Sequence, residues 1–157
     1  MDEEVTKLLD KQAILEAITR LFVSTDRRDW ESVRACLTDQ VMFDMSSMGG
    51  GEAAMVGAES IIEGWEKGLR PLHAIHHQAG NFLVEIGVDR ATAFCYGIES
   101  HYLPNLSGQN TRVFVGSYDF SLVRSAGSWR ISAFRFNLKY IDGNRQLEEQ
   151  ARAAEKL

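Results

Sequence analysis

Residues 81–103 have the sequence NFLVEIGVDRATAFCYGIESHYL, and this stretch decides the fold. Apolar and polar residues alternate in two runs, 81–86 and 91–103, and the short polar segment 87–90 joins them. Alternation with a period of two is typical of a β-strand with one buried face, and a short polar segment between two such runs predicts a hairpin. The stretch therefore predicts two antiparallel strands.

Two more long strands are predicted downstream. Residues 111–124 and 129–141 alternate in the same way, with a loop at 104–108 before them and a polar turn at 125–128 between them. Long strands joined by short polar turns form an antiparallel meander.

The first part of the chain has a helical period instead. Apolar residues recur at offsets of three and four, which predicts a long N-terminal helix with one inward face. The elements predicted here are that helix, ending near residue 27, a second helix at 30–37 capped by Asp29, a strand at 41–45, a flexible glycine-ended loop at 46–51 and a third helix at 59–68. Helices grouped first and strands grouped last predict an α+β fold, with the helices on one face of a curved sheet.

Composition restricts the class of protein. The 157 residues are 45% hydrophobic and 25% charged, with a net charge of −5, as in an ordinary globular domain. We expect one domain at 1–142 and a polar tail at 143–157. The negative charge argues against nucleic-acid binding. No apolar run is long enough to span a membrane and the first twenty residues lack a secretory core, so we expect a cytoplasmic protein.

The two cysteines carry no recognisable motif. Cys36 and Cys95 are far apart and form no CxxC pattern. We therefore expect two buried free thiols and no nucleophile.

Histidine is concentrated in one short segment. His73, His76 and His77 fall within five residues, and His101 lies on the predicted strand 91–103. Histidine exchanges protons near neutral pH. Alternation along 91–103 places His101 on one face with four other residues, mostly small, which leaves room for a ligand: Ala93, Cys95, Gly97 and Glu99.

Asp26 is the candidate carboxylate. Ile18, Phe22 and Asp26 are spaced by four, so Asp26 lies on the buried face if the helix continues that far. A carboxylate in a last helical turn also opposes the helix dipole. Such a conflict is expected either at a solvated helix end or at a functional site, and the residues alone leave both open.

Two alternative chemistries have weak support. His73 and His77 are four apart, but HExxH is absent and Pro71 argues against a helix there, so we expect no metal site. A serine hydrolase is disfavoured because no GxSxG motif exists.

Several motifs together resemble a known family. They are TDRRDW at 25–30, the strand end Phe43-Asp44, His77-x-x-Gly80-Asn81, GSY at 116–118 and GSWRI at 127–131. In this order they resemble the SnoaL-like branch of the NTF2-like superfamily, and within it scytalone dehydratase and its relatives. The resemblance implies a cone, in which a strongly curved mixed sheet packs against N-terminal helices around an apolar pocket.

The resemblance also implies site residues. Asp26 falls on the buried aspartate of the family, His77 on the catalytic histidine that it orients, and His101 on the second pocket histidine. His73 and His76 are then rim or surface residues. The residues expected to contact substrate are Tyr118, Met45, Trp65 and Asn137.

The chain departs from the family at several pocket positions. Thr25 and Met45 stand where scytalone dehydratase has tyrosines, and Gly116 and Tyr118 stand where it has serine and asparagine. Those tyrosines hold a water against the substrate carbonyl, so their absence argues against scytalone as the substrate. Tyr118, Tyr96 or Tyr102 is left to supply a hydroxyl.

The implied activity is that of a dehydratase or isomerase needing no cofactor or metal. Asp26 and His77 would remove and return a proton next to the carbonyl of a small cyclic apolar substrate (polyketide, aromatic or steroid-like), with His101 polarising the carbonyl. The alternative is a non-catalytic binding or assembly module akin to the β subunits of ring-hydroxylating dioxygenases. We also expect a homo-oligomer, a dimer or trimer. The apolar stripe at 134, 136, 138 and 140 suits either core or interface.

Overall fold

A computed structural model describes residues 2–147 and 149–150. In this part of the chain three helices and a short 3₁₀ turn combine with six strands. The elements are α1 (Glu3–Asp26), α2 (Trp30–Cys36), β1 (Leu37–Asp44), the 3₁₀ turn (Ser46–Met48), β2 (Ala54–Gly57), α3 (Ala58–Leu69), β3 (Ala74–Ile86), β4 (Arg90–Tyr102), β5 (Thr111–Ser125) and β6 (Ser128–Gly143).

The strands form one mixed sheet in the order β2-β1-β6-β5-β4-β3. Only the β1–β6 pair is parallel among these strands, and the other pairs are antiparallel. Register shifts interrupt β3 between Gly80 and Leu83 and the β5–β6 pairing at two positions, where β6 carries the extra residue, and such bulges bend and twist a sheet. The predicted α+β cone is therefore confirmed.

The core lies between α1 and the concave face of the sheet. Ile14, Ile18, Leu21 and Phe22 are buried on one side of α1, as their spacing predicts. Four aromatic side chains of β5 and β6 meet them from the sheet: Tyr118, Phe120, Phe134 and Phe136. These rings contact one another edge-on, tilted or stacked, so the centre of the fold is closely packed.

The histidine segment was assigned wrongly from sequence. β3 begins at Ala74 rather than at residue 81, so His76 and His77 lie inside the strand. The bulge after Gly80, with Asn81 at φ 59°, breaks the alternation that would have revealed the longer strand. The short edge strand β2 was also missed, since four residues give too little periodic signal.

The glycine loop is more ordered than predicted. The carboxylate of Asp44 accepts from the backbone N–H and the hydroxyl of Ser46, at 2.9 and 2.6 Å, and starts the 3₁₀ turn. The Ser47 hydroxyl donates to Phe136 O at 2.6 Å and accepts from Leu138 N at 2.9 Å. The first half of the loop is thus fixed to β6.

The start of the predicted tail packs on the fold. Asn144 and Leu147 are buried, and Leu147 contacts a second apolar cluster with Leu69, Leu72 and Ile75. Residues 148 and 151–157 of the tail lie outside the described residues. A domain boundary at 142 remains a prediction.

The apolar stripe on β6 is partly buried in the core and partly exposed. Phe134 and Phe136 are buried in the core, whereas Tyr140 is 57% exposed. In the described part of the chain, no helix is both long and apolar enough to cross a membrane.

Candidate active site

The last residue of α1 meets β3 near the start of the strand. Asp26 Oδ1 lies 2.6 Å from His77 Nδ1, and Asp26 Oδ2 accepts from the backbone N–H of His77 at 2.8 Å. That N–H is available because β3 is an edge strand, paired with β4 on one side only. A carboxylate only accepts, so Nδ1 carries a proton and Nε2 is directed away from Asp26. Both side chains are largely buried.

A second carboxylate lies on the other side of the His77 ring. Glu99 is directly opposite His77 in the β3–β4 register, and its Oε2 lies 3.5 Å from His77 Nε2. Its Oε1 lies 2.6 Å from His101 Nε2. The sequence placed Glu99 and His101 on one face of β4, and that shared face was the signal for a role that we did not assign to Glu99.

The protonation state of His101 follows from its neighbours. The guanidinium of Arg112 lies 3.1 Å from His101 Nδ1, and both side chains are buried. Arginine is always charged and can only donate, so Nδ1 accepts. The remaining proton of His101 is on Nε2 and is donated to Glu99. His101 is thus neutral, and both of its ring nitrogens are hydrogen-bonded.

The charges of His77 and Glu99 stabilise each other. Burial by itself would lower the pKa of His77, but the charge of Glu99 and the hydrogen bond to Asp26 outweigh burial and raise the pKa to about 9. Burial would likewise raise the pKa of Glu99, but the charge of His77 and the hydrogen bond from His101 hold it well below the ordinary value. At neutral pH the resting site contains an imidazolium between two carboxylates.

A cavity of about 220 Å³ opens onto this group of residues. His77, Glu99 and His101 form its polar wall, and the Phe22 ring stacks on the His77 ring with centroids 5.0 Å apart. The rest of the lining is mainly apolar: Leu21, Phe22, Met45, Met48, Trp65, Leu69, Tyr118, Phe134 and Phe136. An apolar cavity with a few converging polar groups is the usual form of a ligand site.

Three of the four predicted substrate contacts line the cavity, namely Tyr118, Met45 and Trp65. Asn137 does not. It alternates with the inward-facing Phe136, and its amide donates to the exposed Asp119 at 2.7 Å. The placement of Asn137 in the pocket is therefore corrected.

Tyr118 is the tyrosine that the fold places in the cavity, whereas Tyr96 and Tyr102 are exposed. Burial, together with the charges of Glu99, Cys95 and Asp26, raises the pKa of Tyr118 well above its ordinary value. Its hydroxyl therefore stays protonated. Thr25 also lines the cavity, but its hydroxyl donates to Leu21 O of its own helix at 2.8 Å.

The remaining candidates lie apart from the cavity. His73 and His76 are exposed, and the His73 ring packs edge-on against Tyr102. Cys36 and Cys95 are free and buried, and burial raises the pKa of their thiols to about 11 and about 12. Over residues 2–147 and 149–150, no cluster of three or more His, Cys, Asp or Glu side chains is arranged to hold a metal ion.

The comparison with protein families matches the SnoaL-like domain over residues 6–135. Because this range is most of the chain, the protein belongs to the SnoaL-like domain family, as the motifs indicated. None of the curated proteins compared with the sequence matches it significantly.

Solved structures share the whole fold. Kfla4162 from Kribbella flavida has a TM-score of 0.84 and 25% sequence identity, over 93% of this chain and 99% of that one. A type 2 hexachlorocyclohexane dehydrochlorinase (LinA) has a TM-score of 0.76 and 17% identity, over 90% of this chain and 93% of its own. A protein from Novosphingobium aromaticivorans, proposed to be a scytalone dehydratase, has a TM-score of 0.76 and 14% identity, over 90% and 92%.

Proposed function

We propose that this protein is a dehydratase or isomerase that needs no cofactor and removes a proton next to the carbonyl of a small apolar substrate. The observation that carries the proposal is the Asp26–His77 pair, which directs the second ring nitrogen, Nε2, toward Glu99 in the wall of an apolar cavity. A histidine oriented by a buried carboxylate is the usual arrangement of a general acid/base.

The reaction starts from the neutral form of His77. Nε2 takes the proton from the carbon next to the carbonyl, and the negative charge of Asp26 stabilises the imidazolium that results. In a dehydration, Nε2 then returns this proton to the departing hydroxyl, so that a C–H and a C–O bond break, a C=C bond forms and water leaves. In an isomerisation the proton returns to another carbon. Such transfer contributes about 10²–10⁴-fold in rate.

Tyr118 is better placed than His101 to polarise the carbonyl oxygen. The only N–H of neutral His101 is donated to Glu99, and its other ring nitrogen accepts from Arg112. The Tyr118 hydroxyl makes no hydrogen bond to the described residues and stays protonated. A donor held against the developing oxyanion is a major source of rate enhancement. We therefore transfer to Tyr118 the carbonyl role that the family resemblance gave to His101.

The cavity and the related structures support this class of reaction. At about 220 Å³ the cavity is smaller than the roughly 300–1,000 Å³ of typical ligand sites, which favours a one-ring or two-ring substrate over a steroid. Two of the similar structures carry the names of a dehydrochlorinase and a proposed dehydratase, and both names denote eliminations.

Proton abstraction can be tested without knowing the natural substrate. Cyclohexanone in D₂O exchanges its α-protons, and the rate is followed by ¹H NMR. We expect the wild-type protein to accelerate exchange and His77→Ala to abolish the acceleration. His76→Ala, which removes the exposed neighbour on the same strand, is the matched control and should act like wild type. Equal exchange with wild type and His77→Ala would contradict the proposal, and no acceleration by wild type would favour the non-catalytic alternative.

Assembly and location remain proposals. Apolar side chains exposed on the strands support a homo-oligomer formed through the sheet: Met42, Met55, Leu83, Tyr96, Ile98 and Tyr140. A cytoplasmic location stays a prediction from the sequence.

A further inference from the structure

Two polar atoms stand side by side in the wall of the apolar cavity. They are His77 Nε2 and Glu99 Oε2, 3.5 Å apart, which we call the donor–acceptor pair. The separation is longer than an ordinary N–H···O hydrogen bond. An oxygen atom of a ligand can lie about 2.8 Å from both atoms at once.

The acceptor is held in place by a chain of buried groups. Arg112 donates to His101 Nδ1 at 3.1 Å, and His101 Nε2 donates to Glu99 Oε1 at 2.6 Å. This chain fixes Glu99 Oε1, helps the charge of His77 to keep Glu99 ionised, and leaves the second oxygen, Oε2, for the cavity. The Nδ1–H and the backbone N–H of His77 donate to Asp26, and these hydrogen bonds fix the donor in the same way.

We infer that the donor–acceptor pair binds the hydroxyl group of the substrate, and that Glu99 thereby selects alcohols over halides as the leaving group. A hydroxyl both donates and accepts, so it satisfies both atoms in the resting site, where His77 is protonated and Nε2 donates. A chlorine substituent or an ether oxygen cannot donate, and it would leave Glu99 Oε2 buried against an acceptor. Sites built around a substrate hydroxyl reject analogues that lack it for this reason.

The inference deepens the proposed function and rests on it for the chemical step. The substrate hydroxyl donates a hydrogen bond to Glu99 Oε2. This orientation directs a lone pair of the hydroxyl oxygen toward His77 Nε2. After His77 has taken the carbon-bound proton, Nε2–H passes that proton to the same oxygen and the C–O bond breaks. The water that leaves keeps the original hydroxyl proton, which stays hydrogen-bonded to Glu99. The protonation state of Glu99 therefore does not change.

The test measures binding, which does not depend on turnover. Dissociation constants of cyclohexanol and chlorocyclohexane are measured at pH 7 for wild type, Glu99→Gln and Glu63→Gln by NMR titration. In Glu99→Gln, His101 still donates, so the amide oxygen faces His101 and the amide N–H₂ faces His77. The acceptor of the pair thereby becomes a donor. Glu63 is exposed on α3 and makes a matched control.

We expect the preference of wild type for cyclohexanol over chlorocyclohexane to fall about tenfold to a hundredfold in Glu99→Gln and to be unchanged in Glu63→Gln. An unchanged preference in Glu99→Gln would overturn the inference, as would a failure of wild type to bind cyclohexanol. A general structural role for Glu99 would weaken both ligands alike.

A second comparison uses wild type alone and covers the case in which Glu99→Gln does not fold. Methoxycyclohexane can accept from His77 but cannot donate to Glu99, so it should bind at least about tenfold more weakly than cyclohexanol. Equal affinity would contradict the inference. If α-proton exchange fails while alcohol selectivity holds, the proposed function is wrong and the donor–acceptor pair stands. If α-proton exchange is accelerated but alcohol selectivity is absent, the proposed function is supported and the inference about the donor–acceptor pair is wrong.

Discussion

Replacing Asp26 with asparagine tests the pair on which the proposed function depends. The carboxylate accepts two hydrogen bonds from His77, at 2.6 Å from Nδ1 and 2.8 Å from the backbone N–H. The amide of asparagine has a single acceptor, so one of the two donors is left facing an N–H₂ group. The negative charge beside the ring is lost as well.

The magnitude follows from these contacts. A hydrogen bond to a charged group contributes about 1.5–3 kcal/mol, so Asp26→Asn should lower the free energy of unfolding by about that amount at pH 7. The Asp26 side chain is 16% exposed and that of His77 9% exposed, so solvent screens the interaction little. Because the substitution removes a negative charge that stabilises the protonated ring, the pKa of His77 should fall from about 9 by about one to two pH units.

Three measurements check this reasoning. Urea unfolding gives the stability, NMR titration of the imidazole gives the pKa, and cyclohexanone exchange at pH 10 gives the rate where His77 is mostly neutral in both proteins. We expect the accelerated part of the exchange to fall about 10²-fold or more, because the neutral ring is no longer held in the productive tautomer. Asp89→Asn, in the exposed β3–β4 turn, is the matched control.

One result would refute the argument directly. If Asp26→Asn folds with the stability of wild type and leaves the pKa of His77 near 9, Asp26 does not support the charged ring. If the pKa falls as expected but exchange at pH 10 is unchanged, the pair exists and does not act as the base.

Two other predictions concern the pH profile and the packing of the cavity. The base is neutral His77, which lies between Asp26 of α1 and Glu99 of β4, with Tyr118 of β5 lining the same cavity, so the rate of exchange above background should rise with pH, reach half of its maximum at about pH 9 and level off above that pH. Glu99→Gln should shift this limb to lower pH. A limb that falls over the same range would assign His77 as an acid instead. Gly97→Ala would place a Cβ 2.1 Å from Tyr118 Cε2, and the Tyr118 ring is packed against Phe22 and Phe136. Calorimetry should therefore show a loss of about 1–3 kcal/mol in the free energy of unfolding, and NMR a slower α-proton exchange. Gly68→Ala, with open space around its Cβ, is the control for stability only, because Gly68 lines the cavity, and equal stability of the two variants would contradict the packing argument.

The regular elements were predictable because their signal is local. The spacing of Ile14, Ile18 and Phe22 reports the buried face of α1, and the alternation along 91–103 reports the inward face of β4. β3 was shortened in the prediction because the bulge at Gly80 shifts the alternation, and nothing in the neighbouring residues signals that shift.

The sequence predicted residues of the site but not the contacts between them. Asp26 and His77 are 51 residues apart, and their 2.6 Å contact depends on where α1 ends and on which N–H groups the edge strand leaves unpaired. The resemblance to the family named both residues, but their catalytic roles remain predictions. Asn137 was misplaced because the resemblance was followed against the alternation along β6, which puts Asn137 on the face opposite Phe136 and Leu138.

The sequence by itself determined the order of the helices and long strands, the inward faces of α1 and β4, and the resemblance to the family, because periodicity and motifs are properties of neighbouring residues. Only the tertiary structure placed Glu99 between His77 and His101, directed the N–H of His101 to Glu99 and away from a substrate, and limited the cavity to about 220 Å³. Those facts depend on strand register and on distances between side chains far apart in the chain. Register and distance are set when the sheet closes around its core, so periodicity along the chain does not encode them.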